Sequence, residues 1–224
     1  MVEQGDAGGA DGTERRERRL AMVARIEAEL GPFPPTHLHA MCDVPRERFV
    51  RDEDEGRAEL DMPLALDDSQ VATISAPHAY LLSYRLLDLG EGDDLLELGS
   101  GSGYGAALAA EIVGPRGTVT TIEIDPALAE RARALLAPHP NVRTSVGDAV
   151  DAARVIAECN KIVCAFAVTE LPREWTRALA PGSVLVAPVG RVGQQELVRV
   201  ACDVRGALAT TRHGAVRYVP NRST

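Results

Sequence analysis

Apolar positions along the chain fall into two regimes. Over 14–30 they recur at Leu20, Val23, Ile26 and Leu30, spacings of three and four that draw one stripe along a helix, and Gly31, Pro32, Pro34 and Pro35 end it. A short second helix is predicted at 37–41. A helix over 77–89 starts on Pro77, where the missing N–H is harmless, and Gly90 closes it. The residues before it, Thr73 to Ala76, read as a turn, because proline disfavours helix at the position ahead of it. From residue 94 the regime changes. Short aliphatic or β-branched runs at 94–98, 118–124, 142–146, 161–168 and 183–189 alternate with helical patterns at 103–113, 126–136, 149–158 and 172–179. Such alternation predicts βαβ units, hence an α/β fold with a doubly wound, mostly parallel sheet. Two last runs, 196–204 and 214–219, have only a loop near Gly206 between them and predict an antiparallel edge strand pair at the C-terminus.

Residues 1–13 are polar and Gly-rich, bury too little to offset ordering entropy, and are expected to be disordered. The remainder, 14–224, reads as one domain: an N-terminal segment (14–90), a core (91–190) and edge strands (191–224). Charge narrows the partners. Lys and Arg number 24 against 33 Asp and Glu, a net −9, which repels phosphate backbones and anionic membranes, so neither nucleic acid nor membrane is an expected partner. No run approaches the ~18 apolar residues of a membrane span. The N-terminus carries no apolar stretch of a secretory signal, so a cytoplasmic location is expected. Cys42, Cys159, Cys164 and Cys202 match no metal spacing and are expected as buried, reduced thiols. No metal site is expected, and the chain is read as a monomer.

The candidate chemistry lies at Gly99-Ser100-Gly101-Ser102-Gly103, between a predicted strand and a predicted helix. Glycines there allow a tight turn and close approach of the backbone to a ligand. The spacing alone does not separate a dinucleotide site from others. Glu97, just before the glycines, would repel a pyrophosphate but suits an ammonium or sulfonium. Glu123, followed by Ile124 at the end of the next strand, can accept from two ribose hydroxyls. Asp148, after Gly147 and the third strand, can accept from an adenine amino group. Three acids around one glycine loop fit S-adenosylmethionine better than NAD. Each acid also has a plainer reading: a solvated strand end for Glu97, a turn residue for Glu123, a helix cap for Asp148.

Several stretches together resemble the protein-L-isoaspartate O-methyltransferase family: VPRERFV (44–50), QVATISAPH (70–78), ELGSGSGYGAALAA (97–110) and VRYVP (216–220), supported by 121–132, 140–149 and 179–190. The resemblance spans about residue 40 to the C-terminus. It implies a Rossmann-like, S-adenosylmethionine-dependent carboxyl O-methyltransferase that acts on isoaspartyl residues of peptides or proteins. On that resemblance Ala72, Thr73, Ile74 and Ser75 form a loop facing cofactor and substrate, with Ser75 the active-site serine. Glu97 to Gly103 hold the methionine portion, Glu123 and Ile124 the ribose, Gly147 and Asp148 the adenine. Ala76, His78, Val216, Tyr218 and Val219 face the peptide, with the 216–219 edge strand able to take an extended peptide through main-chain bonds. His78 and Tyr218 also read as an ordinary first-turn residue and as packing, as does Trp175. The chain departs from the family's usual pattern at the acidic Asp67-Asp68, at Tyr80, where some members carry His, and at 165–170. These departures motivate a second reading, methylation of one aspartate in a biosynthetic peptide. A small-molecule methyltransferase and a non-catalytic cofactor- and peptide-binding adaptor are the further alternatives.

Overall fold

Helix α1 (Ala7–Leu30) lies across α2 (Pro35–Asp43) through Met22, Val23 and Ile26, all buried, while Leu20 and Leu30 stay largely exposed. The face that docks is therefore 19–22–23–26 rather than the stripe drawn through Leu20 and Leu30. Arg19 sets it: its Nε donates to the Cys42 carbonyl and its Nη1 reaches both Glu47 oxygens at 2.9 and 3.0 Å. The computed structural model describes residues 7–69 and 71–221, with side chains from residue 12. The helix begins at Ala7, inside the segment expected to be unstructured. Once the docked turns have nucleated, each further residue adds a hydrogen bond at little cost, even through glycines. Residues 1–6 of that expected tail lie outside the described residues.

Two 3₁₀ turns, Arg46–Phe49 and Asp52–Arg57, lead to a small hairpin of β1 (Leu64–Ala65) and β2 (Thr73–Ile74). The residues read as a turn before Pro77 are thus partly strand. The constraint from proline acts only on Ala76, which is extended at ψ 143° and caps α3 (Pro77–Leu87).

The main sheet has seven strands in the order β5-β4-β3-β6-β7-β8-β9. They are β3 (Asp94–Leu98), β4 (Thr118–Glu123), β5 (Val142–Val146), β6 (Lys161–Cys164), β7 (Val184–Val189), β8 (Gln195–Cys202) and β9 (Leu208–Val216). The first five are parallel to one another, and β8 and β9 add antiparallel, as the terminal pattern predicts. Helices α3, α4 (Tyr104–Val113) and α5 (Pro126–Leu136) cover one face with α1 and α2 behind them, and the short α6 (Ala153–Ile156) and α7 (Arg173–Ala178) cover the other. Side chains of β3 alternate accordingly: Leu95 joins the first core, Leu96 and Leu98 the second. The chain leaves β3 toward β4 on one side and returns to β6 on the other. This reversal opens a crevice beyond the carboxyl end of β3, where doubly wound sheets bind ligands.

Three elements are shorter or displaced. The 149–158 helix is a 3₁₀ turn followed by a single α turn, because the Asp148 carboxylate takes the Val150 N–H at 2.9 Å and closes the backbone locally. Strand β6 stops at Cys164, and 165–168 swing out over the crevice with single bridges to Pro220 and Val189. The last strand ends at Val216, so Tyr218 and Val219 lie beyond it. All four cysteines are free and buried, and no described helix is long and apolar enough to cross a membrane.

Trp175 is fully buried on the second face, and its indole N–H donates to the Ala149 carbonyl at 2.9 Å, tying α7 to the turn after β5. Trp175→Ala is expected to destabilise the fold by roughly 3–5 kcal/mol, read as a lower denaturation midpoint.

Candidate active site

After Leu98 the chain turns through Gly99, Gly101 and Gly103 at φ of 91°, 51° and 88°, conformations that favour glycine. The Gly99 and Ser100 amides bond back to the Ile122 carbonyl, and the Gly101 amide donates to Glu123 Oε2 at 2.8 Å. The other Glu123 oxygen takes the Asp125 amide at 3.1 Å. Glu123 is therefore more than a turn residue. Two main-chain donors fix its buried carboxylate at the crevice wall, and the remaining lone pairs can accept from two hydroxyls. The Ser100 hydroxyl also lines the crevice, buried and without a partner among the described residues.

Glu97 lies at the floor, 2% exposed, with one hydrogen bond from Thr121 Oγ1 at 2.7 Å. The parallel register places Thr121 directly opposite it. A Cβ on Gly105 would stand 2.1 Å from Glu97 Oε1, so the first turn of α4 lacks a side chain where the carboxyl needs room. Burial pushes the Glu97 carboxyl up to about 8; the Thr121 hydroxyl pulls it back and the nearby Glu123 charge adds to the rise. A desolvated carboxyl of this kind gains most from a cation brought beside it.

The crevice is lined by Ala72, Thr73, Ile74, Ser75, Glu97, Gly99 to Ser102, Glu123, Ile124, Gly147 and Asp148. These are the residues singled out for the cofactor, with one exception. Gly103 does not line it; a Cβ there would press on Ala132 and Leu136 at 3.2 and 3.0 Å, so this glycine serves the packing of α4 against α5. Asp148 both caps the following turn and lines the crevice. Trp175 lies in the core, away from it.

A second cleft adjoins the first. Pro63, Ala76, His78, Val216, Tyr218 and Val219 contribute to its walls, and Thr73, Ser75, Ala165, Val219 and Pro220 belong to both. Ser75 thus stands where the two meet. The main chain of 218–219 is not open to a strand-like peptide. The buried Gln195 amide takes both the N–H and the C=O of Tyr218, at 2.6 and 3.0 Å, and the Val219 carbonyl accepts from Ala167 N. The expected main-chain addition along 216–219 is corrected on this point: the segment offers side chains there.

Sequence reasoning missed two residues that shape this junction. Asp61 accepts from the His78 amide and from His78 Nδ1, each at 2.9 Å, and the pairing raises the imidazole pKa and lowers that of Asp61 against a partial desolvation that works the other way. His78 is therefore a hydrogen-bonded partner of a carboxylate on the cleft wall. Arg46 is fully buried, and its guanidinium reaches the Ser75 carbonyl at 3.1 Å. The only sequence signal for it was membership of the VPRERFV stretch. Nothing in the sequence pointed to Asp61, which lies in an irregular loop.

Comparison with known proteins bears on the same residues. The profile of the family described as Protein-L-isoaspartate(D-aspartate) O-methyltransferase (PCMT) matches residues 33–224. The chain is 40% identical over 214 residues to Protein-L-isoaspartate O-methyltransferase 2 of Archaeoglobus fulgidus, covering 95% of this chain and 94% of that one. It is 38% identical over 209 residues to the Protein-L-isoaspartate O-methyltransferase of Methanopyrus kandleri, covering 92% and 91%. Among solved structures, one described as a protein-L-isoaspartate O-methyltransferase superposes with a TM-score of 0.81 at 22% identity, over 92% of this chain and 65% of that one. A putative Plasmodium falciparum protein-L-isoaspartate O-methyltransferase in complex with S-adenosyl-L-homocysteine superposes with a TM-score of 0.78 at 19% identity, over 92% and 99%. At these identities the superpositions speak for the fold.

The buried carboxyl makes stability pH-dependent in a defined direction. Because the folded-state pKa of Glu97, about 8, exceeds its ordinary 4.5, the folded chain keeps a proton that the unfolded chain has released between these values. Stability from this group is whole below pH ~4.5 and declines as pH rises through ~8. Glu97→Gln, which stays neutral, is expected to gain stability relative to the parent from pH 5 to 8.5, on the order of a few kcal/mol. Thermal denaturation at several pH values checks this; parallel curves for the two proteins would refute it.

Proposed function

The chain belongs to the protein-L-isoaspartate(D-aspartate) O-methyltransferase family, and on that premise we propose that it is an S-adenosylmethionine-dependent carboxyl O-methyltransferase that methylates isoaspartyl residues in peptides or proteins. The observation that supports this most directly is the meeting of two cavities at Ser75, one shaped for the donor and one open to an extended acceptor.

The donor crevice fits the cofactor. It offers a desolvated carboxyl at Glu97, a buried, partnerless hydroxyl at Ser100 and a fixed carboxylate at Glu123. In this reading Glu97 and the Gly99–Ser102 turn hold the methionine portion, Glu123 the ribose, and Gly147 and Asp148 the adenine. S-adenosylmethionine supplies an electrophilic methyl group on a sulfonium sulfur.

The chain's own part is to position and to exclude water. A carboxylate acceptor has an ordinary pKa of ~3.9–4.3 and is ionised at neutral pH, so no general base is needed. Holding it in line with a methyl group can supply up to ~7–11 kcal/mol of the barrier. Ser75 is the residue we assign to that task. Its hydroxyl makes no hydrogen bond within the described residues, while its main chain is held on both sides, by Tyr80 Oη at 3.3 Å and by Arg46. The cleft that takes the peptide presents Ala76, His78, Val216, Tyr218 and Val219 as side-chain contacts.

The second reading, one dedicated aspartate in a biosynthetic peptide, loses part of its motive. Asp67 and Asp68 line neither cavity, and Asp68 instead pairs with Arg51 at 2.7 Å. Tyr80, half-buried beside Glu97 and bonded to the Ser75 amide, is the departure that still touches the site.

Purified protein with labelled S-adenosylmethionine is expected to place base-labile label on a short isoaspartyl peptide and not on its aspartyl twin; label on the aspartyl peptide alone would favour the second reading. Ser75→Ala is expected to lower kcat by ~10–100-fold while S-adenosylhomocysteine affinity, by calorimetry, stays within about twofold. An equal loss of both would make Ser75 merely structural.

A further inference from the structure

Arg46 is a cation fully removed from solvent, with no carboxylate partner among the described residues. Its surroundings already work against the charge, as burial draws its pKa down. A group in that position is costly unless its donors are satisfied, and an apolar side chain of similar volume would fill the space at less expense. What the guanidinium does instead is collect main-chain carbonyls. Nη1 donates to Ala58 O at 2.9 Å and Leu60 O at 3.3 Å; Nη2 donates to Met62 O at 2.9 Å and Ser75 O at 3.1 Å.

Two of these carbonyls, of Leu60 and Met62, flank Asp61 on either side. Asp61 in turn holds the amide and the ring of His78, three residues after Ser75. One rigid fork therefore joins the loop that carries Asp61 to the peptide group of Ser75. That peptide group also contains the Ala76 N–H, for which no partner exists among the described residues. A strong donor on its carbonyl polarises the group and makes the N–H a better donor in turn.

We propose that Arg46 is a positioning residue for methyl transfer: through the Ser75 carbonyl it aims the serine hydroxyl and the adjoining Ala76 N–H at the acceptor carboxylate, and through the Leu60 and Met62 carbonyls it locks the Asp61–His78 pair in register with them. The proposal rests on the reading that Ser75 holds the acceptor. Lysine keeps the charge at position 46 but has one nitrogen and cannot span both segments.

A double-mutant cycle tests it. In an isoaspartyl-peptide assay Arg46→Lys is expected to lower kcat by ~10–100-fold, with S-adenosylhomocysteine affinity within about twofold of the parent. If Arg46 acts in part through the Ser75 hydroxyl, the same change made in the Ser75→Ala background should cost severalfold less, the remainder being its effect through the Ala76 N–H and the Asp61–His78 pair. A loss of equal size in both backgrounds, or a parallel loss of cofactor affinity, overturns the proposal. Should Arg46→Lys fail to fold, Arg46→Gln replaces it in the cycle, since its single amide can reach one of the two segments but not both and is expected to give the same non-additive signature; additivity there overturns the proposal as well. A substrate-free readout separates this from the assigned activity. Histidine titration by NMR should show the His78 pKa of Arg46→Lys, or of Arg46→Gln in its place, moved toward the ordinary value as Asp61 loosens. An unchanged His78 titration overturns the proposal even if the parent protein methylates no isoaspartyl peptide, whereas an inactive parent with a moved titration refutes only the assigned substrate.

Discussion

A carboxyl group that water does not reach governs the donor side of this molecule. Glu97 sits near the end of β3, the Thr121 hydroxyl is its one hydrogen-bond donor among the described residues, and Gly105 leaves it room. Kept there without a counter-cation, the group is a standing cost to the folded chain, tolerable only because the surrounding sheet is buried on both faces and cannot rearrange around it. The cost explains the local sequence. Parallel pairing brings a hydroxyl-bearing strand residue opposite the acid, the neighbouring helix gives up a side chain, and the turn between them is made of glycines so that main chain rather than bulk faces the ligand. A cationic donor relieves the cost, and the same site would disfavour a pyrophosphate.

The acceptor side follows a different logic. Around Ser75 the important bonds run from side chains to main chain: Arg46 and Tyr80 to the serine's own peptide groups, Asp61 to the start of α3, Gln195 to Tyr218. Each fixes a segment that has little regular structure to hold it. In the function proposed above, the serine hydroxyl would need no intrinsic reactivity, because a carboxylate acceptor is already charged. What the fold provides is a fixed point between two clefts.

Much of this was legible beforehand because it is periodic or local. The alternation of strands and helices from residue 94 onward, the glycine turn and the acids after successive strands are all short-range patterns, and they correspond to β3 through β7 and to the crevice. Failures occurred where long-range contacts decide. The stripe through Leu20 and Leu30 is a fair helical face, but the side that docks is chosen by Arg19 finding Cys42 and Glu47. Thr73–Ile74 is strand because Leu64–Ala65 lies beside it. Gly103 belongs to helix packing rather than to the ligand because α5 passes underneath. Asp61 and Arg46 left almost no trace in the pattern, since a single polar residue in an irregular loop looks the same whether it faces solvent or ties two segments together.

The four thiols have a bearing on the conditions under which such a catalyst can serve. Proteins accumulate isomerised residues as they age, and ageing is accompanied by oxidants. Burial raises the pKa of Cys42, lifts Cys159 to about 11 and Cys164 to about 12, so these sulfurs stay protonated and out of reach of peroxide, which attacks the thiolate. Neither Glu97 nor Ser75 depends on sulfur, so oxidation of these thiols is not part of how the two clefts work.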